Sequence, residues 1–465
     1  MGMHKFHLSF HLFVTAIVLT GFSCFASAAD DLIGLYQKAA QYDAEYLAAL
    51  ASTEADREEI NKARAQFFPK AQLVAARGQG ITNRTTQSAF GVIDTHLDYD
   101  IQNYAFSIKQ PLFNKETLAS YSGAKSFVSA KEALLRQENA KLMLKLAATY
   151  LEILYAKEKT LLLTSKINAV MQQLNQAERK FQQGAGTVVE ISEAQTNLDI
   201  AKAEFILANN ALTNQLETLF NMTGQQATPD TKLDTAKLPI EQVINENLDY
   251  WLTSAKQHNP EISSAEYAVE VARQEVEKKR AGHYPTVDLV GVRSYSENDS
   301  NNTLGSRFDT TTLAVQLNMP LFAGGFVNAS VRQALSKLTA AEETLNSKTR
   351  EASANVRKYF NGVQSQFLSI SAYQQAVKSS DIALTGTQKG FAAGLKTNIE
   401  VLGAQQKLYS NQLELSKSQY GLINELVNLK FYAGLLNETE LASISHFFVA
   451  GNKVENGNGK HEFKN

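Results

Sequence analysis

Cysteine is all but missing from this chain. One is present among 465 residues, Cys24, and it lies in an N-terminal stretch that reads as a secretory leader. Within residues 1–29, Lys5 supplies positive charge, Leu12 to Phe25 is mostly apolar, and Ala26-Ser27-Ala28 has the small-x-small form of a cleavage site. Cutting after Ala28 or Ala29 leaves a mature chain with no thiol. Disulfides, thiolate metal sites and cysteine nucleophiles are thereby excluded from it, which suits an oxidising compartment. A lipoprotein acylated at Cys24 is the competing reading, but Gly21 stands where a leucine is expected and Phe22 is large. A long apolar run is also missing. Past the leader nothing approaches the ~20 residues that a membrane helix needs. Nor is there an excess of one charge. The net charge is −2 and both signs are spread along the chain, which argues against nucleic acid as a partner. The eight histidines are scattered, with none paired at metal-ligand spacing on a helix. No phosphate-binding glycine loop or nucleophile elbow is present. The expectation is a protein that is not an enzyme and carries no metal or cofactor.

Proline is scarce, and its placement divides the chain. The seven prolines stand at 69, 111, 229, 239, 260, 285 and 320. None falls between Pro111 and Pro229, and none follows Pro320. Both proline-free stretches are rich in the helix formers Ala, Leu, Gln, Glu and Lys. Taken as one helix, Gly324 to Phe391 would run ~100 Å at 1.5 Å per residue. A helix of that length is a rod that must pack along other rods.

What is present is a duplication. Arg179–Ile191 (RKFQQGAGTVVEI) and Gln388–Val401 (QKGFAAGLKTNIEV) align at an offset of 210 residues, placing Phe181 on Phe391, Gly184 on Gly394, Thr187 on Thr397 and Glu190 on Glu400. The same offset carries Gly224 onto Gly434, and the heptad Leu198, Phe205, Leu212, Leu219 onto Leu408, Leu415, Leu422, Leu429. Ala65–Leu73 (AQFFPKAQL) matches Ala281–Leu289 (AGHYPTVDL), and Ile108–Phe113 (IKQPLF) matches Leu317–Phe322 (LNMPLF). Each half therefore reads as a long helix, a turn at Gly184-Ala185-Gly186 or near Gly394, and a shorter returning helix. Glycine closes the first helix and Thr187 or Thr397 caps the second.

Two windows bounded by proline, Pro69–Pro111 and Pro285–Pro320, have a different texture. Tyr104, Phe106 and Ile108 alternate with small or polar residues, as do Leu313, Val315 and Leu317. This is strand periodicity at the length of a tilted membrane strand. Ile81–Asp98 and Ser296–Arg307, rich in Asn, Thr, Ser, Asp and Gly, read as loops. Aromatics crowd both ends of the windows, as in the girdles of a membrane barrel; ordinary sheet packing is the alternative. One chain thus offers four strands. Four cannot close a barrel, and an open edge cannot stand in lipid with its N–H and C=O groups unsatisfied. If the strands are in a membrane, several chains share one barrel, and three would supply twelve strands.

On these motifs the chain resembles the TolC family of outer-membrane efflux and type I secretion channels. The runs Lys109–Phe113 and Met319–Gly325 and the turns Phe181–Gly184 and Phe391–Gly394 carry the likeness, which extends from Asp30 to about Leu436. The resemblance implies a mixed fold of long antiparallel coiled-coil helices forming a periplasmic α-barrel, with four transmembrane strands per chain in a 12-stranded trimeric β-barrel. It places a helical tunnel at 30–68, 114–224, 240–284 and 323–436, in two repeats of about 30–224 and 240–436. Barrel strand pairs fall at 69–113 and 285–322, and equatorial segments at 225–252 and 437–448; separately, the polar, glycine- and asparagine-rich composition of 451–465 reads as a disordered tail. The resemblance also implies a homotrimer in outer-membrane lipid that works with a periplasmic adaptor protein and an inner-membrane transporter. The gate lies at the tip turns, Gly184, Gly186 and Gly394.

The family's inward-pointing acid falls on Glu400, with Glu190 in the equivalent place of the first half. A second acidic position falls on Gly403. The tyrosine and arginine of the closed tip fall on Phe391, which has no hydroxyl, and on Lys396. Like charges from several copies would attract cations. As helix N-terminal acids, Glu190 and Glu400 would equally be stabilised by the helix dipole in full solvent. A trimeric coiled-coil surface adhesin or structural rod is the alternative function.

Overall fold

The computed structural model of the protein describes residues 31–234, 246–298 and 306–450. The leader with Cys24, the tail 451–465 and residues 235–245 of the first equatorial segment lie outside the described residues.

The helices begin where polar caps stand. Two short helices, α1 (Leu32–Tyr42) and α2 (Ala44–Ala65), meet at Asp43, whose carboxylate accepts from the Tyr46 N–H. Asn114 caps α3 (Lys115–Gln182), a helix of 68 residues, and Thr187 caps the returning α4 (Val188–Thr223). The second half repeats the order. Here α5 (Leu248–His258) meets α6 (Pro260–Arg280), which Asn259 caps with Pro260 in the first turn. The long α7 (Phe326–Ala392) has 67 residues, and α8 (Asn398–Tyr432) returns from it. A last short helix, α9, spans Glu438–Ser445. At 1.5 Å per residue α3 and α7 are each about 100 Å long.

The rods stand in a fixed order. In the strand-proximal part α3 lies between α2 and α6, with α6 against α7; in the distal part it lies between α4 and α8, with α8 against α7. Hence α3 is a central column and α7 a flanking one. Burial agrees, since 20 residues of α3 are buried against 8 of α7. The main core is a belt at mid-height. It joins Leu35 and Tyr36 of α1, Leu146 and Tyr150 of α3, Met222 of α4, Trp251 of α5, Ile423 of α8 and Leu441 of α9. Two short strands, β3 (Thr231–Leu233) and, at the end of the described chain, β6 (Phe448–Ala450), pair antiparallel in this belt, and the Tyr150 hydroxyl is 2.7 Å from Thr231 Oγ1. A second, small cluster of Val170, Leu174, Ala194, Leu198 and Leu402 joins α3, α4 and α8 toward the distal end.

The other four strands form one antiparallel sheet in the order β1 (Lys70–Ser88), β2 (Gly91–Phe113), β4 (Thr286–Asn298), β5 (Arg307–Asn318). Both outer edges, on β1 and β5, are open. Residues paired across strands share a face. Leu73 pairs with Phe106, Ile108 with Gly291, Gly291 with Leu313, Leu289 with Val315, and Val287 with Leu317, so one face is apolar. Gln72, Ser107, Val292 and Thr312 pair on the opposite, more polar face, where Lys109 and Asp288 form an ion pair of 2.7 Å. The apolar band runs from Val287 to Gly291 on β4, roughly 13 Å along the strand at ~3.3 Å per residue; beyond it Arg293 and Asp309 form an ion pair of 3.0 Å on the same face, beside the Tyr104–Tyr295 ring pair. Among the described residues no helix is long and apolar enough to cross a membrane.

The reading of Ile81–Asp98 as a loop is corrected. Strands β1 and β2 stay in register to Ser88 and Gly91, leaving only a tight turn at Ala89 and Phe90. The β-branched residues Thr82, Thr85, Thr86, Val92, Ile93 and Thr95 favour strand, and Thr85 Oγ1 donates to Asp94 at 2.6 Å across the pair. Of the loop read at Ser296–Arg307, Ser296 to Asn298 belong to β4 and Arg307 to β5, while residues 299–305 lie outside the described residues.

Candidate functional site

The sites singled out in the sequence gather at the end of the rods farthest from the sheet, where two helical hairpins turn side by side. Each long helix closes in the same way. Gly184 N–H donates to the Phe181 carbonyl at 2.9 Å and Ala185 N–H to the Lys180 carbonyl at 2.9 Å. In the second half Gly394 N–H donates to Phe391 O at 3.0 Å and Leu395 N–H to Gly390 O at 2.8 Å. Such paired bonds need a left-handed residue, and both glycines have φ of 75°. Threonine then starts the returning helix through a reciprocal capping box. Glu190 N–H donates to Thr187 Oγ1 at 3.3 Å while Thr187 N–H donates to Glu190 Oε2 at 3.1 Å. The equivalent bonds of Thr397 and Glu400 measure 3.3 and 2.8 Å.

The two acids then diverge. Lys396 Nζ donates to Glu400 Oε1 at 2.5 Å. This bond, with that from the Thr397 backbone, holds the Glu400 carboxyl below the usual carboxylate range. No lysine can answer Glu190 from the equivalent position, because that position is Gly186. Both acids are first-turn residues of neighbouring helices, Glu400 exposed and Glu190 half-buried. Gly403, where a second acid would stand, opens to free space on α8.

The resemblance places Phe391 and Lys396 together in the closed tip. The structure separates their roles: Lys396 folds onto its own helix, and Phe391 is met from the other hairpin by Lys180, whose Nζ lies 3.6 Å from the ring centroid. Phe391 is 9% exposed and its twin Phe181 is 45% exposed. Lys180 is the residue that inspection of each motif alone misses. A signal for it is present in the aligned halves, where lysine and glycine exchange places: Lys180 faces Gly390, and Gly186 faces Lys396.

A family model described as outer membrane efflux protein matches residues 35–225 and 251–435, one match per half. The chain belongs to the outer membrane efflux protein family. It is similar to alkaline protease secretion protein AprF of Pseudomonas aeruginosa, at 30% identity over 90% of this chain and 88% of that one. It is similar to outer membrane protein TolC of Escherichia coli at 26% identity, over 92% of this chain and 87% of that one. Among solved structures, the outer membrane protein VceC of Vibrio cholerae shares the fold with a TM-score of 0.73 at 20% identity, covering 87% of this chain and 96% of that chain. Membership in the outer membrane efflux protein family favours the exit-channel reading and leaves the adhesin or structural rod without support.

Proposed function

We propose that this chain is the outer-membrane exit duct of a tripartite efflux pump or type I secretion system, built from three copies and gated where its hairpins turn. The observation that carries this reading is the four-stranded sheet with an apolar face and two open edges, set on rods of about 100 Å. An open edge in hydrocarbon leaves backbone groups without partners, so each edge calls for another strand. Joining β5 of one copy to β1 of the next satisfies both, and three copies give twelve strands. The flanking rods support the same joint. Ile200, Ile206 and Leu207 of α4 and Leu368 and Ile382 of α7 are large apolar side chains left exposed, at the two margins that carry the open edges.

A duct of this kind is passive, and its energy comes from an inner-membrane transporter reached through a periplasmic adaptor at the tip. The names of AprF and of the proteases secretion protein PrtF of Dickeya chrysanthemi, 28% identical, favour protein cargo through a type I system. The reading is tested by reconstituting the purified protein in planar bilayers and weighing the detergent-solubilised assembly by native mass spectrometry. Trimers with steady ion conductance are expected. A monomer soluble without detergent and silent in bilayers would defeat the reading.

A further inference from the structure

We propose that Lys180 is the latch of the tip: its ammonium, seated on the face of Phe391, fastens the first hairpin of a chain to the second and keeps the duct shut. This rests on the exit-duct reading and assigns its gate a residue pair.

Three observations converge. The first is the contact itself. Nζ stands 3.6 Å from the ring centroid, within the distance at which a cation is drawn to an aromatic face. Lys180 and Phe391 belong to different hairpins, so the contact ties the two turns together beyond the small distal cluster that joins α3 and α4 to α8. Phe391 lacks a hydroxyl, and its ring face is the feature it can offer a cation.

The second is the exchange of lysine and glycine between the duplicated turns. A side chain at Gly390 would place its Cβ 2.7 Å from Lys396 Cγ, and one at Gly186 would place it 2.8 Å from the Phe181 nitrogen and 3.2 Å from Lys180 Cβ. Lys396 thus fills the space at Gly390, and at Gly186 the backbone of Lys180 and Phe181 leaves no room for a side chain. In the second hairpin the lysine folds over its own turn to Glu400. In the first it reaches across. The exchange leaves one phenylalanine covered and its twin bare.

The third is the seam beneath the latch. Leu402 packs on Val170, Leu174, Ala194 and Leu198, so its face of α8 looks toward α3 and α4. Asn398 and Gln405, one turn before and one after, share that face. Asn398 is 2% exposed, and neither its Oδ1 nor its Nδ2 has a hydrogen-bond partner among the described residues. Gln405 Oε1 is likewise buried and unpartnered, as are Gln173 Oε1 of α3 and Glu193 Oε2 of α4. Buried polar groups without partners favour separation. A seam of this composition is held by its few apolar contacts and by whatever fastens its end.

The test is single-channel conductance of the assembled protein in planar bilayers, with hydrogen exchange at residues 391–400 as a second reading. Lys180→Gln and Phe391→Leu should each raise the open-to-closed ratio by about 2- to 30-fold for every latch released, the range that one cation–π contact supports. The double variant should exceed neither single by more than experimental scatter, because both remove one contact. Lys180→Arg and Phe391→Trp keep a cation on a ring and should behave as the parent. Exchange at 391–400 should quicken in Lys180→Gln and not in Lys180→Arg. A parent that conducts while Lys180→Gln matches it in both readings overturns the latch alone. So does Phe391→Leu opening the duct while Lys180→Gln does not, for then the ring acts by packing. A parent and variants that form no conducting assembly overturn the duct reading and the latch with it.

Discussion

The Glu400 carboxylate accepts from the Lys396 ammonium and from both the backbone and the hydroxyl of Thr397. Its charge is thus partly answered before any ion arrives. In the proposed duct, Glu400→Ala should weaken block by trivalent cations. Lys396→Ala, which frees the same carboxylate, should strengthen it; current reduction in planar bilayers measures both. The direction of the pH dependence follows from the depressed pKa. A carboxyl held below the usual range stays charged as pH falls through about 4.3, the ordinary glutamate value. Block should persist there and vanish beneath it, and Lys396→Ala should move the loss up toward the ordinary value. The capping boxes were legible because Thr-x-x-Glu is a local signal. The partners of Lys396 and Lys180 were not, since one depends on a side chain folding across a turn and the other spans 211 positions of sequence.

At the scale of elements, the hairpin ends and the sheet faces make separate predictions. Thr187→Ala and Thr397→Ala each remove a helix start and should cost about 1 kcal/mol, seen as faster hydrogen exchange in the first turn of α4 or α8 alone. In the sheet, Leu313→Lys places a charge on the apolar face and should cost ~2–4 kcal/mol if that face meets lipid. Thr312→Lys, one residue away on the other face, should be tolerated. Heat stability of the assembly in lipid vesicles distinguishes the two. The sequence-based expectation held for the rods and glycine turns, where composition, heptads and Schellman glycines all agree. It fell short in the outer hairpin. Thr82 to Thr95 looks like a loop by its polar content, yet its threonines are β-branched and pair across the strands, as Thr85 does with Asp94. A polar ribbon beyond the apolar band has no reason to alternate in hydrophobicity, so the period that reveals a half-buried strand is absent there.

For the whole molecule, the margins carry the main prediction. Cysteines replacing Gln72 on β1 and Gln316 on β5, in a chain that also carries Cys24→Ser, should join by a flexible bismaleimide only between copies. The products should stop at three chains on a denaturing gel. Either cysteine alone should give far less product, because its counterpart sits on the opposite margin.

The matched rods set a rule for changing the machine's reach. The long helices differ by one residue, 68 against 67, and the returning ones by one, 36 against 35. Deleting a single residue from α7 alone would lift that tip by ~1.5 Å and turn it by about 100°, swinging Phe391 away from its partner. Adding seven residues to all four rods at one level would lengthen the shaft by about 10 Å while preserving every facing. A bacterium with a deeper envelope, or an engineer imitating one, would have to insert whole heptads in concert.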